Sequence, residues 1–192
     1  MGKEHDFFFI GLGNPGKKFE TTPHNMGRFV LDRLFDIRRR VAGSIFYEEA
    51  NTFFMSTLDS DVGLNIGYVT PKTYMNDSGK VIEEMQKKGY KVENVILFVD
   101  SLDLYFGSWN FKSKSGHGGH NGTRSIIEAL NFNPPTIKVG VYPEGVKLDE
   151  AKKFLLEPMN EEELESIESK IYEINMALDI KLPYMKGGDG RT

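Results

Sequence analysis

Residues 7–12 read FFFIGL, six consecutive positions without a polar side chain. Side chains along a strand point alternately to the two faces of its sheet, so a strand of this composition is apolar on both. Such a strand belongs inside a sheet covered on both sides, which is the environment of layered α/β proteins. It runs into a glycine-rich loop, GLGNPGKKFETTPHNMG, that must lead the chain to the first covering element.

That element is predicted as a helix from Asn25, placed to cap it, to about Arg39, with Phe29, Val30, Leu34 and Ile37 at helical spacing. Strands are predicted at 45–58 and 64–70, separated by a DSDVG turn. NDSGKVIEEMQKKG reads as a capped helix ended by Gly89. Val95–Val99 is a second strongly apolar strand, followed by strands at Ser108–Lys112 and Thr136–Val141 and a helix at Thr123–Leu130. Two further helices are expected near 149–156 and 160–179. Interleaved strands and helices give an α/β fold, a single domain over residues 1–180 around a mixed sheet, with KLPYMKGGDGRT (181–192) as a flexible tail.

The loop after the first strand carries two familiar patterns and fits neither. Gly11, Gly13 and Gly16 spell GxGxxG, but a dinucleotide site opens a helix at the third glycine and places an acidic residue after a second strand. Here two threonines and Pro23 intervene before any helix, and Asp36 lies within it. GxxxxGK also occurs, but Lys18 stands where magnesium coordination needs Ser or Thr. No nucleotide cofactor is expected.

Other classes fall away on composition. The chain has 192 residues and no cysteine, which removes disulfides, thiolate metal sites and a cysteine nucleophile. No apolar run is long enough to span a membrane, and the N-terminus lacks a secretory pattern, so a cytoplasmic protein is expected. A net charge of −4 argues against coating nucleic acid by bulk electrostatics while leaving a local basic patch open.

Four polar turns remain. TPHN places His24 and Asn25 before a helix; TPKTYMNDSG places Asn76 after a strand; FVDSLDL places Asp100 at a strand end; SGHGGHNG places His117, His120 and Asn121 in a glycine loop. Each alone reads as an ordinary turn or cap. Together, at the rim of an open sheet, they supply a general base, a carboxylate to orient it, and amides to stabilise an oxyanion. There is no GxSxG elbow, and the histidine spacing is not that of a helical zinc motif, so attack by water without a metal is the simpler scheme.

In this order, FIGLGNPG, TPHNMG, TPKTYMNDSG, DSLDL and GHGGHNGTRSI resemble the motifs of bacterial-type peptidyl-tRNA hydrolases. The resemblance implies an α/β/α globule around a twisted mixed sheet, usually monomeric, that cleaves the ester between a peptide and the 3′-terminal ribose of tRNA. It implies His24 as catalytic base and Asp100 as its orienting carboxylate. Asn14, Asn76 and Asn121 resemble the asparagines that line the peptide and ester site, with Asn76 the choice for oxyanion donor and Met75 beside it as a cleft wall. Lys112, Lys114 and Lys138 are the expected tRNA contacts, while His120 is left as a brace for its loop.

The chain departs from the family pattern at Pro23 and Thr70, where basic residues are usual, at Asn110 in the basic segment, and at VYPEG after the last strand. Each lost cation removes a possible phosphate contact. The competing reading is a non-enzymatic RNA-binding protein on the same fold, which would have no need of His24 and Asp100.

Overall fold

The computed structural model describes residues 4–59 and 63–187. Seven strands, β1 (Phe7–Gly11), β2 (Ile45–Glu49), β3 (Phe53–Asp59), β4 (Asn65–Pro71), β5 (Val95–Tyr105), β6 (Trp109–Lys112) and β7 (Thr136–Tyr142), form one sheet in the order β2-β3-β4-β1-β5-β7-β6. The centre is parallel, β4, β1, β5 and β7 running together, and the outer pairs are antiparallel. Six helices accompany it: α1 (Met26–Arg38), α2 (Gly79–Lys87), α3 (Asn121–Leu130), α4 (Leu148–Phe154), α5 (Glu161–Glu168) and α6 (Ile171–Gly187).

The apolar run behaves as its composition requires. Phe7 and Phe9 face one half of the core, with α1, α5 and α6, while Phe8, Ile10 and Leu12 face the other, with α2 and α3. On β5, Ile96 and Phe98 join the first half and Val95, Leu97 and Val99 the second. Each fully buried side chain of this kind contributes about 1.5–3 kcal/mol, so the two central strands anchor both layers. Gly11 serves helix packing: a Cβ there would meet Leu31 Cβ at 2.8 Å and the Arg28 backbone at 2.9 Å.

Several boundaries differ from expectation. The segment 45–58 is two strands, broken at Ala50–Thr52, where Glu84 on α2 accepts hydrogen bonds from the Asn51 and Thr52 amides. β5 continues past Asp100 to Tyr105, its register with β7 shifting between Ser101 and Tyr105. Three helices follow β7, because Ser169 and Lys170 separate α5 from α6. The expected tail at 181–192 is corrected in part: α6 runs to Gly187, held by buried Leu182 and by Lys186, 2.8 Å from Asp6. Residues 188–192, and most of the DSDVG turn, lie outside the described residues. Among those described, no helix is long and apolar enough to cross a membrane.

The layer formed by α1 and α6 is fastened by one buried cation. Arg38 donates to Asn175 Oδ1 at 2.7 Å and to Asp179 Oδ1 at 2.6 Å. Its side chain is buried while Asp179 is partly solvated, which screens the pair. Arg38→Ala is expected to lower unfolding free energy by about 2–4 kcal/mol, read from urea denaturation, because it strips charged hydrogen bonds from a buried position.

Candidate active site

The carboxyl ends of the central strands are where an open α/β sheet presents side chains to a ligand. The expected site elements emerge there: the loop after β1 carries Asn14, the 3₁₀ turn Met75–Asp77 follows β4, Asp100 sits within β5, and the loop before α3 carries His120 and Asn121. His24 lies in the 3₁₀ turn Pro23–Asn25 that leads into α1.

Asp100 is buried and receives two imidazoles. His24 Nδ1 is 3.0 Å from Oδ1 and 3.1 Å from Oδ2, and His120 Nε2 is 2.8 Å from Oδ1. The tautomers follow from the partners. His120 Nδ1 accepts the Thr123 amide at 3.2 Å as the N-cap of α3, so its proton resides on Nε2 and is donated to Asp100. An ionised carboxylate can only accept, so His24 Nδ1 also carries its proton, leaving Nε2 as a basic lone pair. The two rings lie 4.9 Å apart.

The electrostatics fit this arrangement. Burial alone would raise the Asp100 carboxyl, but the facing His120 and His24 outweigh it and hold the group well below the usual carboxylate range. Burial opposes a charge on His24, yet the charge of Asp100 and its hydrogen bond prevail, and the imidazole sits above its ordinary value of 6.5. The resulting stabilisation has two limits. Below the unfolded aspartate value of about 4 it fades as Asp100 is protonated, and above the unfolded histidine value of about 6.5 it fades as His24 loses its charge.

His24, Asp100, His117, His120, Asn121 and Lys138 border one cleft of about 400 Å³, which Leu148, Lys152 and Leu155 also line. The His24 amide donates to Leu155 O at 3.0 Å, tying the turn that carries His24 to the segment after α4. Asn121 also borders a smaller hollow of about 220 Å³, shared with Asn76 and Arg124.

One expectation needs correction. Asn25 does not cap α1 with its side chain. Its Oδ1 accepts the Asn14 amide at 2.7 Å and its Nδ2 donates to Asn14 O at 2.9 Å, clamping the loop after β1. Met75 borders neither hollow; it is buried, and a Cβ on Gly122 would fall 2.3 Å from its sulfur, so it packs beneath the loops that carry the asparagines. Asn14 Oδ1 accepts the Met75 amide at 2.9 Å, which leaves Nδ2 as its free donor among the described contacts.

Of the expected tRNA contacts, only Lys138 borders the cleft, 3.5 Å from Asp103. It lies opposite Asn110 on the β6–β7 ladder, with Lys112 two positions along the same face. Lys114 is exposed, one residue before Ser115 of the cleft rim. His120 is the residue whose part was underestimated. Its signal was positional, a histidine directly preceding a helix at the end of the glycine loop.

The ligating atoms of His24, Asp100 and His120 lie within 4.8 Å of one another and are the one set among the described residues able to hold a metal ion. Both imidazole protons are directed at the carboxylate, so a metal there would have to displace them. The arrangement suits proton transfer.

Comparisons with known proteins bear on the family and the fold. The peptidyl-tRNA hydrolase family model matches residues 8–186. A peptidyl-tRNA hydrolase of Sulfurovum sp. is 36% identical over 177 residues, covering 88% of this chain and 85% of its own. A chloroplastic peptidyl-tRNA hydrolase of Arabidopsis thaliana is 36% identical over 168 residues, covering 84% of this chain and 55% of its own. The fold is similar to a crystal structure of the Acinetobacter baumannii peptidyl-tRNA hydrolase, with TM-score 0.78 and 24% identity over 93% of this chain and 89% of that one. On the extent of the sequence match, the chain belongs to the peptidyl-tRNA hydrolase family.

Proposed function

We propose that this chain hydrolyses the ester joining a peptide to the 3′-terminal ribose of tRNA, returning free tRNA from aborted translation in the cytoplasm. The observation that carries the reading is the contact of His24 Nδ1 with the buried Asp100 carboxylate, which orients the ring and leaves Nε2 basic at the cleft. Nε2 takes a proton from water, and the water oxygen attacks the ester carbonyl. The tetrahedral oxyanion accepts from an asparagine amide, assigned to Asn76, while Asn14 and Asn121 hold the peptide backbone or the water. Collapse expels the ribose oxygen, which receives the proton from the imidazolium, giving a peptide acid and tRNA.

Asp100 stabilises the imidazolium between these steps, and His120 fixes Asp100 from the other side. No covalent intermediate and no metal are required. Lys112, Lys114 and Lys138 are the proposed contacts for tRNA phosphates. A purely RNA-binding role would leave the paired imidazoles without a use.

Initial rates on an N-blocked aminoacyl-tRNA, with and without chelator, from about pH 5 to about pH 9 test the scheme. Neutral His24 is the active form, so kcat/KM is expected to climb with pH through a midpoint above 6.5, indifferent to chelator. Loss of activity on chelation, or a rate that falls across that midpoint, would overturn it.

A further inference from the structure

The ester has an acyl half and a ribose half, and the sheet sets where each can lie. Along the order β4-β1-β5-β7, Asn76 follows β4 and the His24–Asp100 contact sits at β5. An acyl group held beside Asn76 therefore leaves the ribose facing β7, the strand that carries Lys138.

A second cavity opens on that side. It holds about 320 Å³ between the end of β7, α4 and the start of α5, with Pro23, Phe106, Val146, Phe154 and Leu155 among its walls. Pro23 directly precedes His24, and Leu155 also lines the cleft of His24, so the two spaces adjoin. Backbone bonds hold them together: the Met159 amide donates to Thr21 O at 2.8 Å, beside the bond from the His24 amide to Leu155 O. Two polar side chains reach this otherwise apolar lining with groups to spare. Glu157 is exposed and its carboxylate enters no ion pair among the described residues. Asn160 Oδ1 accepts the Glu163 amide at 2.9 Å, which leaves its Nδ2 as a donor.

We propose that this cavity holds the adenine of the 3′-terminal nucleotide of tRNA, an inference that rests on the hydrolase activity proposed above. Unstacked RNA bases are held by aromatic faces and by hydrogen bonds along their edges. Phe106 and Phe154 supply the faces, and Glu157 and Asn160 supply an acceptor and a donor. Adenine offers the matching pair, an amino group that donates and a ring nitrogen that accepts. A 6-oxopurine would instead turn a carbonyl oxygen toward the Glu157 carboxylate. The volume lies at the lower end of the roughly 300–1,000 Å³ found for ligand cavities, which suits one base with its ribose at the mouth. Anchoring the base places the ester at His24 with binding energy drawn from a part of the substrate that does not react.

The test compares N-blocked aminoacyl-tRNA ending in adenosine with the same tRNA ending in inosine. Wild type should show kcat/KM about tenfold higher for the adenosine terminus, the worth of one exchanged hydrogen bond. In Glu157→Gln, whose amide can donate to the oxo group, that ratio should fall to about one. Val146→Trp, which fills the cavity from a loop, should raise KM for both substrates about tenfold at an unchanged melting temperature. Equal kcat/KM for the two termini in wild type, a ratio that Glu157→Gln leaves alone, or a wild-type KM in Val146→Trp overturns the proposal while the hydrolase reading stands. If neither substrate is cleaved, the hydrolase reading fails and the cavity is judged by NMR titration. Adenosine 5′-monophosphate should then bind about tenfold more tightly than inosine 5′-monophosphate, a difference that Val146→Trp removes. No preference in that titration overturns the adenine site as well.

Discussion

Asp100→Asn should lower kcat about a thousandfold or more while leaving KM nearly unchanged. The side chain keeps its size but loses its role as a pure acceptor. Asp100 accepts hydrogen bonds from His24 Nδ1 and His120 Nε2, whereas an asparagine can accept only through its oxygen, since its amide nitrogen donates. His120 has little freedom to adapt, because its Nδ1 is already occupied by the Thr123 amide at the start of α3. The mismatch therefore falls on His24, which must turn or exchange tautomer and carry its proton on the nitrogen that should accept one. The equivalent change in a serine-protease triad costs about ten-thousandfold for that reason. Steady-state kinetics on an N-blocked aminoacyl-tRNA measure it, and a kcat within about fivefold of wild type would remove Asp100 from the mechanism.

Gly27→Ala should damage fold and site together. A Cβ at residue 27 would sit 2.0 Å from the Phe98 carbonyl oxygen and 2.6 Å from its carbon. Both atoms belong to the backbone of a buried central strand, so neither can rotate away, and α1 must move off the sheet. His24 lies three residues before Gly27 and Asp100 two residues after Phe98, so the displacement opens the His24–Asp100 contact. The expected cost is about 3 kcal/mol or more in urea unfolding, since overpacking is being forced against main chain. The fraction that still folds should turn over about a hundredfold more slowly, the usual consequence of misplacing a catalytic group by about 1 Å. Wild-type stability and rate in this variant would show that the helix–strand approach does not set the site.

The central strands and the layers around them were legible in the sequence because burial on both faces leaves no alternative composition: Phe7–Ile10 and Val95–Val99 could hardly be anything else. Helix α2 was legible at its end, where Gly89 adopts a positive φ of 88°. What escaped depended on partners distant in sequence. The break at Ala50–Thr52 is held by Glu84, and α6 outlasts its expected end because Leu182 and Lys186 find the core and Asp6.

The site shows the same division. His24, Asp100 and Asn121 come together as the clustered polar turns implied, but the uses of Asn25, His120 and Met75 could not be read locally. An asparagine before a helix can cap it or reach across to another loop with equal local plausibility. Here Asn25 reaches Asn14 and fixes both backbone groups of that residue at once. The glycines around His120 concealed a helix start, and with it the cap that fixes the ring.

The most direct measurement is the single-turnover release of free tRNA from an N-blocked aminoacyl-tRNA by wild type and by His24→Ala, with chelator present. Wild type should complete the reaction, and the variant should be slower by at least about a hundredfold while still binding the substrate. Equal rates for the two proteins would mean that the ester is cleaved without the imidazole of His24, and the proposed chemistry would be wrong.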